Sequence, residues 1–528
     1  MKRVTLLLLF GLCSLVSAQS DSKRPALDLQ TFVITGREKI ELPAADKLPS
    51  PAMEVINEEF LNPSIESFFV ESLIVNSPFE QSLIPIDTLV FYRNKLIAKA
   101  GNKYLPSADY STFTSYKDFT GSFQLLTEYK VPFVANSWEF LISPKLDISY
   151  KIVDPESMFD KNKVDFSSGY ESSKYAFYSE ANPDKRQVIS YHGGLSIQNS
   201  ESALWRYKGG FDFRTLKVQT DNYKENCFSL FASSGFNTSS VEFTPSAKWN
   251  LYSDYDSVLT RTHKSILFLS TPTRITVSDV LGINASANLA LSDSIKKVYP
   301  NVELNLKLQS FLSFTAGYAR QYKIYDFGGY LENNKFVSFK GVTPSLFDAG
   351  SIFKVSFTLE SAKVYDLTLG FENGTSDNYL YYVPGTAGRF NAKTLKADVF
   401  NLFADLRVHP SEYGYLISQL KLNSIKDTSG NYIPNNPVFS YYAAYGYVLQ
   451  EGITLKAGTL FLGKRYTTLD NSESLPYYFS LFCELGYSFS REFLLSAKID
   501  NLLNRKNYLL KGYQDRQMTF ELGLAFQW

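Results

Sequence analysis

Much of the chain is built from segments of roughly ten residues in which apolar and polar side chains alternate. In the last of them Phe520, Leu522, Leu524, Phe526 and Trp528 share one face, and Glu521, Gly523, Ala525 and Gln527 share the other. Val302, Leu304, Leu306 and Leu308 alternate with Glu303, Asn305, Lys307 and Gln309; Phe353, Val355, Phe357 and Leu359 alternate with Lys354, Ser356, Thr358 and Glu360. Successive side chains of a strand point to opposite faces, so a period of two predicts strands with one greasy and one wet side. A tilted strand of about that length also crosses a bilayer. Alternation by itself fits a soluble sandwich as well as a barrel with a wet interior.

The connections between segments discriminate better. Short links fall around Ser490 and Arg491, Gln450–Gly452, His409–Ser411, Ser361–Lys363, Gln309–Ser310 and Asn237–Ser239. Longer polar stretches separate them: Arg505–Gln517, Thr467–Ser474, Ile425–Asn436, Asn373–Asn391, Phe327–Asp348 and Asp154–Lys185. Outer-membrane barrels sort their connections in this way, with short periplasmic turns and long extracellular loops. The expected fold is therefore all-β, a closed antiparallel transmembrane barrel of about 18–20 strands. An even number requires one strand beyond those counted from Phe119 onward, and Thr88–Ala98 is apolar enough to supply it. The barrel is expected over 110–528, preceded by a Pro-rich periplasmic or luminal segment, 19–109, that lacks sustained alternation.

The first residues read as a signal peptide, 1–18: Lys2 and Arg3, an apolar run from Val4 to Leu12, then Val16, Ser17 and Ala18 before the cut. Beyond it no run of about 18 apolar residues remains to form a membrane helix. Composition agrees with strands: 42 Phe and 36 Tyr make aromatics 16% of the chain. Lys plus Arg equals Asp plus Glu at 53 each, so no net field favours nucleic acid. Cys227 and Cys483, the two cysteines left after cleavage, form no disulfide framework.

Two stretches resemble the TonB-dependent receptors, which import scarce nutrients through an outer-membrane barrel. Asn501, Leu502, Asn504 and Tyr508, followed by Gly512, Tyr513, Arg516 and the last strand, are similar to that family's closing hairpin. Thr31, Phe32, Val33, Ile34, Thr35 and Gly36 resemble the short N-terminal box that pairs as a strand with the TonB energy transducer. The family's plug motifs are missing after the box, which leaves a plug reduced or absent and puts energised transport in doubt. A lumen of this size must be filled, and segment 19–109 with folded-in loops such as Asp154–Lys185 is expected to fill it.

Chemistry is sparse. Gly458–Arg465 has phosphate-loop spacing, but Arg465 stands where a Ser or Thr must hold the metal, and the run sits inside an alternating strand. His192, His263 and His409 lie far apart. No metal, cofactor or catalytic residue is expected, and the chain is read as no enzyme. Phe526 and Trp528 fit the aromatic C-terminal signal for the barrel assembly machinery, and outer-membrane lipid is the expected surrounding. The resemblance implies a bacterial outer-membrane transport protein that binds or passes a solute. A second reading is a non-transporting scaffold anchoring an envelope protein through Tyr170, Tyr175, Tyr178, Tyr379, Tyr381 and Tyr382.

Overall fold

A computed structural model describes residues 93–153, 161–199, 205–255, 261–361, 364–411, 414–449, 452–490 and 492–528. The leader, the box Thr31–Gly36 and the Pro-rich stretch lie outside these residues. Within them 22 strands, each antiparallel to its sequence neighbour, form a closed barrel. The strand Asn94–Gly101 pairs with Tyr104–Tyr116 on one side and with Thr519–Gln527 on the other, Lys95 opposite Gln527 and Gly101 opposite Glu521. The amide and carbonyl of Trp528 complete the seam, each bonded to Asn94 at 3.0 Å. In hydrocarbon every unpaired backbone group costs several kcal/mol, so closure is what makes a sheet viable in a membrane.

Cross-strand partners share a face, so the pairings trace the wall. Ser122, Asp147, Ser167, Gly194, Asp212, Ser229 and Asn250 stand opposite one another on seven consecutive strands. Their chain neighbours Leu146, Leu195, Phe213, Phe228 and Leu230 are exposed on the opposite surface. One side of the wall is thus polar and lines the lumen; the other is apolar and meets lipid.

The strand number exceeds the expected 18–20, and the boundary at Asp109 is corrected, because Asn94–Gly101 and the start of Tyr104–Tyr116 belong to the barrel. Asp154–Lys185 is no single loop: the strand Lys163–Ala176 runs through it. Asn373–Asn391 is mostly strand too, covered by Tyr365–Pro384 and the start of Phe390–Ser411. Strands that rise past the membrane have water on both faces and lose their alternation, so they read as loops. Sorting of the connections is also looser than expected, since only Asn102 and Lys103 link the first two strands on the extracellular side.

Two local devices bend the wall. Pro245 has no amide to donate, and the ladder breaks there into Val241–Phe243 and Ser246–Tyr255. The strand Ser345–Ser361 bulges opposite Gln321 and Tyr322, where Gly350 has φ +98°. A Cβ at Gly350 would lie 1.8 Å from the carbonyl oxygen of Thr375, so the bulge requires glycine.

Candidate functional site at the extracellular mouth

The connection 326–344 folds across the opening instead of projecting from it. Asp326 caps a short helix, Phe327–Asn333, by accepting from the amide of Gly329 at 2.8 Å. Past the helix Val337–Ser338 adds in parallel to Phe390–Asn391, at the extracellular end of the second strand beyond Ser345–Ser361. A helix of seven residues has no stability of its own, so packing must hold it. Phe327, Tyr330, Phe336, Val337 and Phe339 are all buried, in one cluster with Tyr175, Leu216, Val218, Tyr382 and Tyr513. Phe336 stacks on Tyr513 with ring centroids 3.7 Å apart.

Three polar latches pin this loop to the strand ends around it. In the first, Arg214 Nη2 donates to Glu225 Oε1 at 2.8 Å and to Asp326 Oδ2 at 2.5 Å. Glu225 is wholly buried, and its second oxygen accepts from the amide of Phe327 at 2.8 Å. In the second, Asp221 receives Arg186 Nε and Arg389 Nη2, both at 2.8 Å, while Arg186 Nη1 donates to the carbonyl of Lys335 at 3.0 Å. Both guanidinium groups lie over the ring of Phe177, at 4.7 and 4.8 Å. In the third, Lys335 Nζ reaches Glu139 at 3.3 Å, and the hydroxyl of Tyr175 donates to the Lys335 carbonyl at 2.5 Å.

Within the loop Glu332 is solvent-exposed yet partly desolvated by the mouth around it, and that desolvation first, then the like charge of Asp326, raises its pKa above the ordinary carboxyl value.

The predicted closing-hairpin residues sit on the same rim. Asn501 and Asn504 both hold left-handed backbone, at φ +51° and +53°. The Asn501 amide nitrogen donates to the carbonyls of Arg505 and Arg516, at 2.8 and 3.0 Å, and Asn504 Oδ1 accepts from Met518 N at 3.0 Å. Asparagine suits both places, because it tolerates positive φ and its side chain satisfies backbone groups released from the ladder. Tyr508 lies in a small hairpin whose carbonyls, at Tyr508 and Leu509, accept from Arg465 at 2.7 and 2.9 Å. Burial pushes the Arg465 guanidinium down to about 10. The phosphate-loop-like run Gly458–Leu462 has its backbone in the ladder on both sides, as its pattern implied. Leu502 is exposed.

Phe526 and Trp528 are at the other rim, stacked at 4.7 Å, with Phe526 against Phe493 at 4.4 Å. His192, His263 and His409 lie on three separate strands. Among the described residues no group of three or more His, Cys, Asp or Glu could hold a metal ion. Arg214, Glu225 and Asp326 carry no sequence signature: they come together from positions 11 and 112 residues apart.

No family model matches the chain. Solved structures share its fold. The siderophore receptor PirA from Acinetobacter baumannii superposes with a TM-score of 0.65 at 9% identity, over 82% of this chain and 80% of that one. The copper transporter OprC gives 0.66 at 10% identity, over 83% and 80%. The ferric yersiniabactin uptake receptor FyuA from Yersinia pestis gives 0.63 at 11% identity, over 83% and 80%. The likeness at such identities is one of fold: a large closed antiparallel β-barrel, in keeping with the fold that the sequence resemblance implied.

Proposed function

We propose that this chain is an outer-membrane transport protein of the TonB-dependent receptor type, whose solute path runs through the lumen and is shut at the extracellular mouth by loop 326–344. The observation that carries the reading is a polar-walled barrel whose own loop is latched across the opening by Arg214, Asp221 and Lys335. A protein needing only an anchor has no use for a wide lumen with a closed mouth. The tyrosines that favour the scaffold reading are largely used inside the mouth: Tyr175, Tyr381 and Tyr382 are buried, and Tyr178 packs on Tyr513 at 4.9 Å. The proposal includes strand addition of the energy transducer at Thr31–Gly36 and passage of a solute whose identity the chain does not encode in any readable motif.

Planar-bilayer conductance tests it with four proteins: the full chain, one lacking 19–92, one with 327–342 replaced by a short Gly-Ser linker, and one with both changes. The doubly altered barrel is expected to conduct and the full chain to stay closed. A doubly altered barrel that inserts, yet passes no ions, sinks the reading. Loss of transducer capture on changing Val33 and Ile34 to proline is expected from the strand-addition step.

A further inference from the structure

The lipid-facing wall carries a basic step that the transport reading does not use. On four neighbouring strands Lys217, Lys224, Tyr255 and Arg261 stand directly opposite one another. Their chain neighbours Leu216, Val218, Glu225 and Asp254 are buried on the luminal side, so this row faces outward. Lys224 and Arg261 flank the Tyr255 ring at 5.8 and 5.6 Å. One rung nearer the membrane centre the same strands present Thr215, Asn226, Ser253 and His263, a polar row. The next rung is Phe213, Phe228, Leu251 and Ser265, whose two phenylalanines are exposed to hydrocarbon.

Each rung is two residues, or about 6–7 Å along a strand, so the basic row lies about 13 Å along the tilted strands from the last greasy one, or about 10 Å above it. A lipid places its acyl boundary, its carbonyl and amide groups, and its phosphates in that order. A recess of about 600 Å³ opens on this wall, bounded by Phe213, Phe228, Leu251, Arg261, His263 and Asp293.

Charge balance points the same way. Elsewhere on the extracellular rim several basic groups are matched: Arg320 pairs with Asp348 and Asp377, Lys396 with Asp377, and Lys511 with Glu473. Among the described residues no ion pair joins Lys217, Lys224 or Arg261 to a carboxylate, and Asp293 is the acidic side chain in the lining of the recess. Three unmatched cations at headgroup height attract phosphate by about the increment that each basic residue contributes at an anionic membrane surface.

We infer that Lys217, Lys224 and Arg261 form an exterior site for the phosphorylated headgroup of an outer-leaflet lipid, with Phe213 and Phe228 against its acyl chains. The site rests on the barrel's place in the membrane and not on what passes through the lumen.

The test uses the full chain in nanodiscs, read by native mass spectrometry. Its arms are a bis-phosphorylated glycolipid, the same lipid after phosphatase treatment, and inorganic phosphate. The phosphorylated lipid is expected to be retained about tenfold more than its dephosphorylated form, and K217Q/K224Q/R261Q to erase that preference. Lys217→Arg should keep it and Lys217→Gln should lower it, which covers a triple variant that fails to insert. Equal retention by the triple variant, no preference in the parent chain, or displacement by millimolar inorganic phosphate would each overturn the site.

Discussion

Arg214 is the side chain on which most depends, because it neutralises two carboxylates, one of them wholly buried, that belong to different parts of the mouth. Removing one partner of a buried pair leaves the other charge stranded. Arg214→Gln is expected to weaken docking of loop 326–344 by about 2–4 kcal/mol, allowing for the partial exposure of the guanidinium. Limited proteolysis of the loop in folded barrel would show it as faster cleavage; an unchanged rate would mean that the apolar cluster and the other two latches hold the loop without Arg214. Gly350→Ala is the second expectation at this scale. It places a Cβ against the Thr375 carbonyl and forces a non-glycine residue to φ +98°, at a cost of about 1–3 kcal/mol. A urea titration followed by tryptophan fluorescence would register the loss as a lower midpoint.

At the scale of the element, the closing loop is itself a pH-dependent structure. Glu332 has its pKa raised in the closed mouth, where partial desolvation is the main cause and Asp326 adds to it. A released loop would return it to the ordinary carboxyl value. The protonated form therefore favours the docked loop: the contribution is full below the ordinary value and fades as pH rises through the raised one. Cleavage of the loop is expected to be slower at pH 5 than at pH 8, with Glu332→Gln flattening the difference; a steeper dependence in that variant would contradict the linkage. The loop was the least legible element in the sequence. Phe327, Tyr330, Phe336 and Phe339 show no usable period, and every partner that buries them is distant along the chain. Val302–Leu308 and Phe520–Trp528 were legible because lipid on one side and water on the other impose strict alternation. Where Tyr365–Pro384 climbs beyond the membrane that contrast ends, and the same strand looks like loop.

For the whole molecule, barrel class and outer-membrane setting were readable from alternation and connection lengths, whereas strand number was not, since Asn94–Gly101 and Lys163–Ala176 carry mixed polarity on both faces. Asn501 and Asn504 stood out in sequence as part of a familiar hairpin, and the geometry gives each amide a backbone group to satisfy. Replacing Asn501 by Ala removes three such bonds at a position of positive φ. About 2–3 kcal/mol of barrel stability is expected to be lost, measurable as a lower temperature for the shift between folded and unfolded bands on a gel. Trp528→Ala is expected to slow assembly in cells more than it lowers that temperature, as a recognition role for the assembly machinery requires; equal effects on both would assign the residue to packing alone.

The seam has a consequence for biogenesis. Because Trp528 is hydrogen-bonded to Asn94, the ring stays an open curl with two unsatisfied edges until the far end of the polypeptide has been made and exported. Such an intermediate is a sticky ribbon, prone to zip onto another nascent copy. The cell must therefore chaperone the whole strand array across the envelope and knit it shut in a single late event.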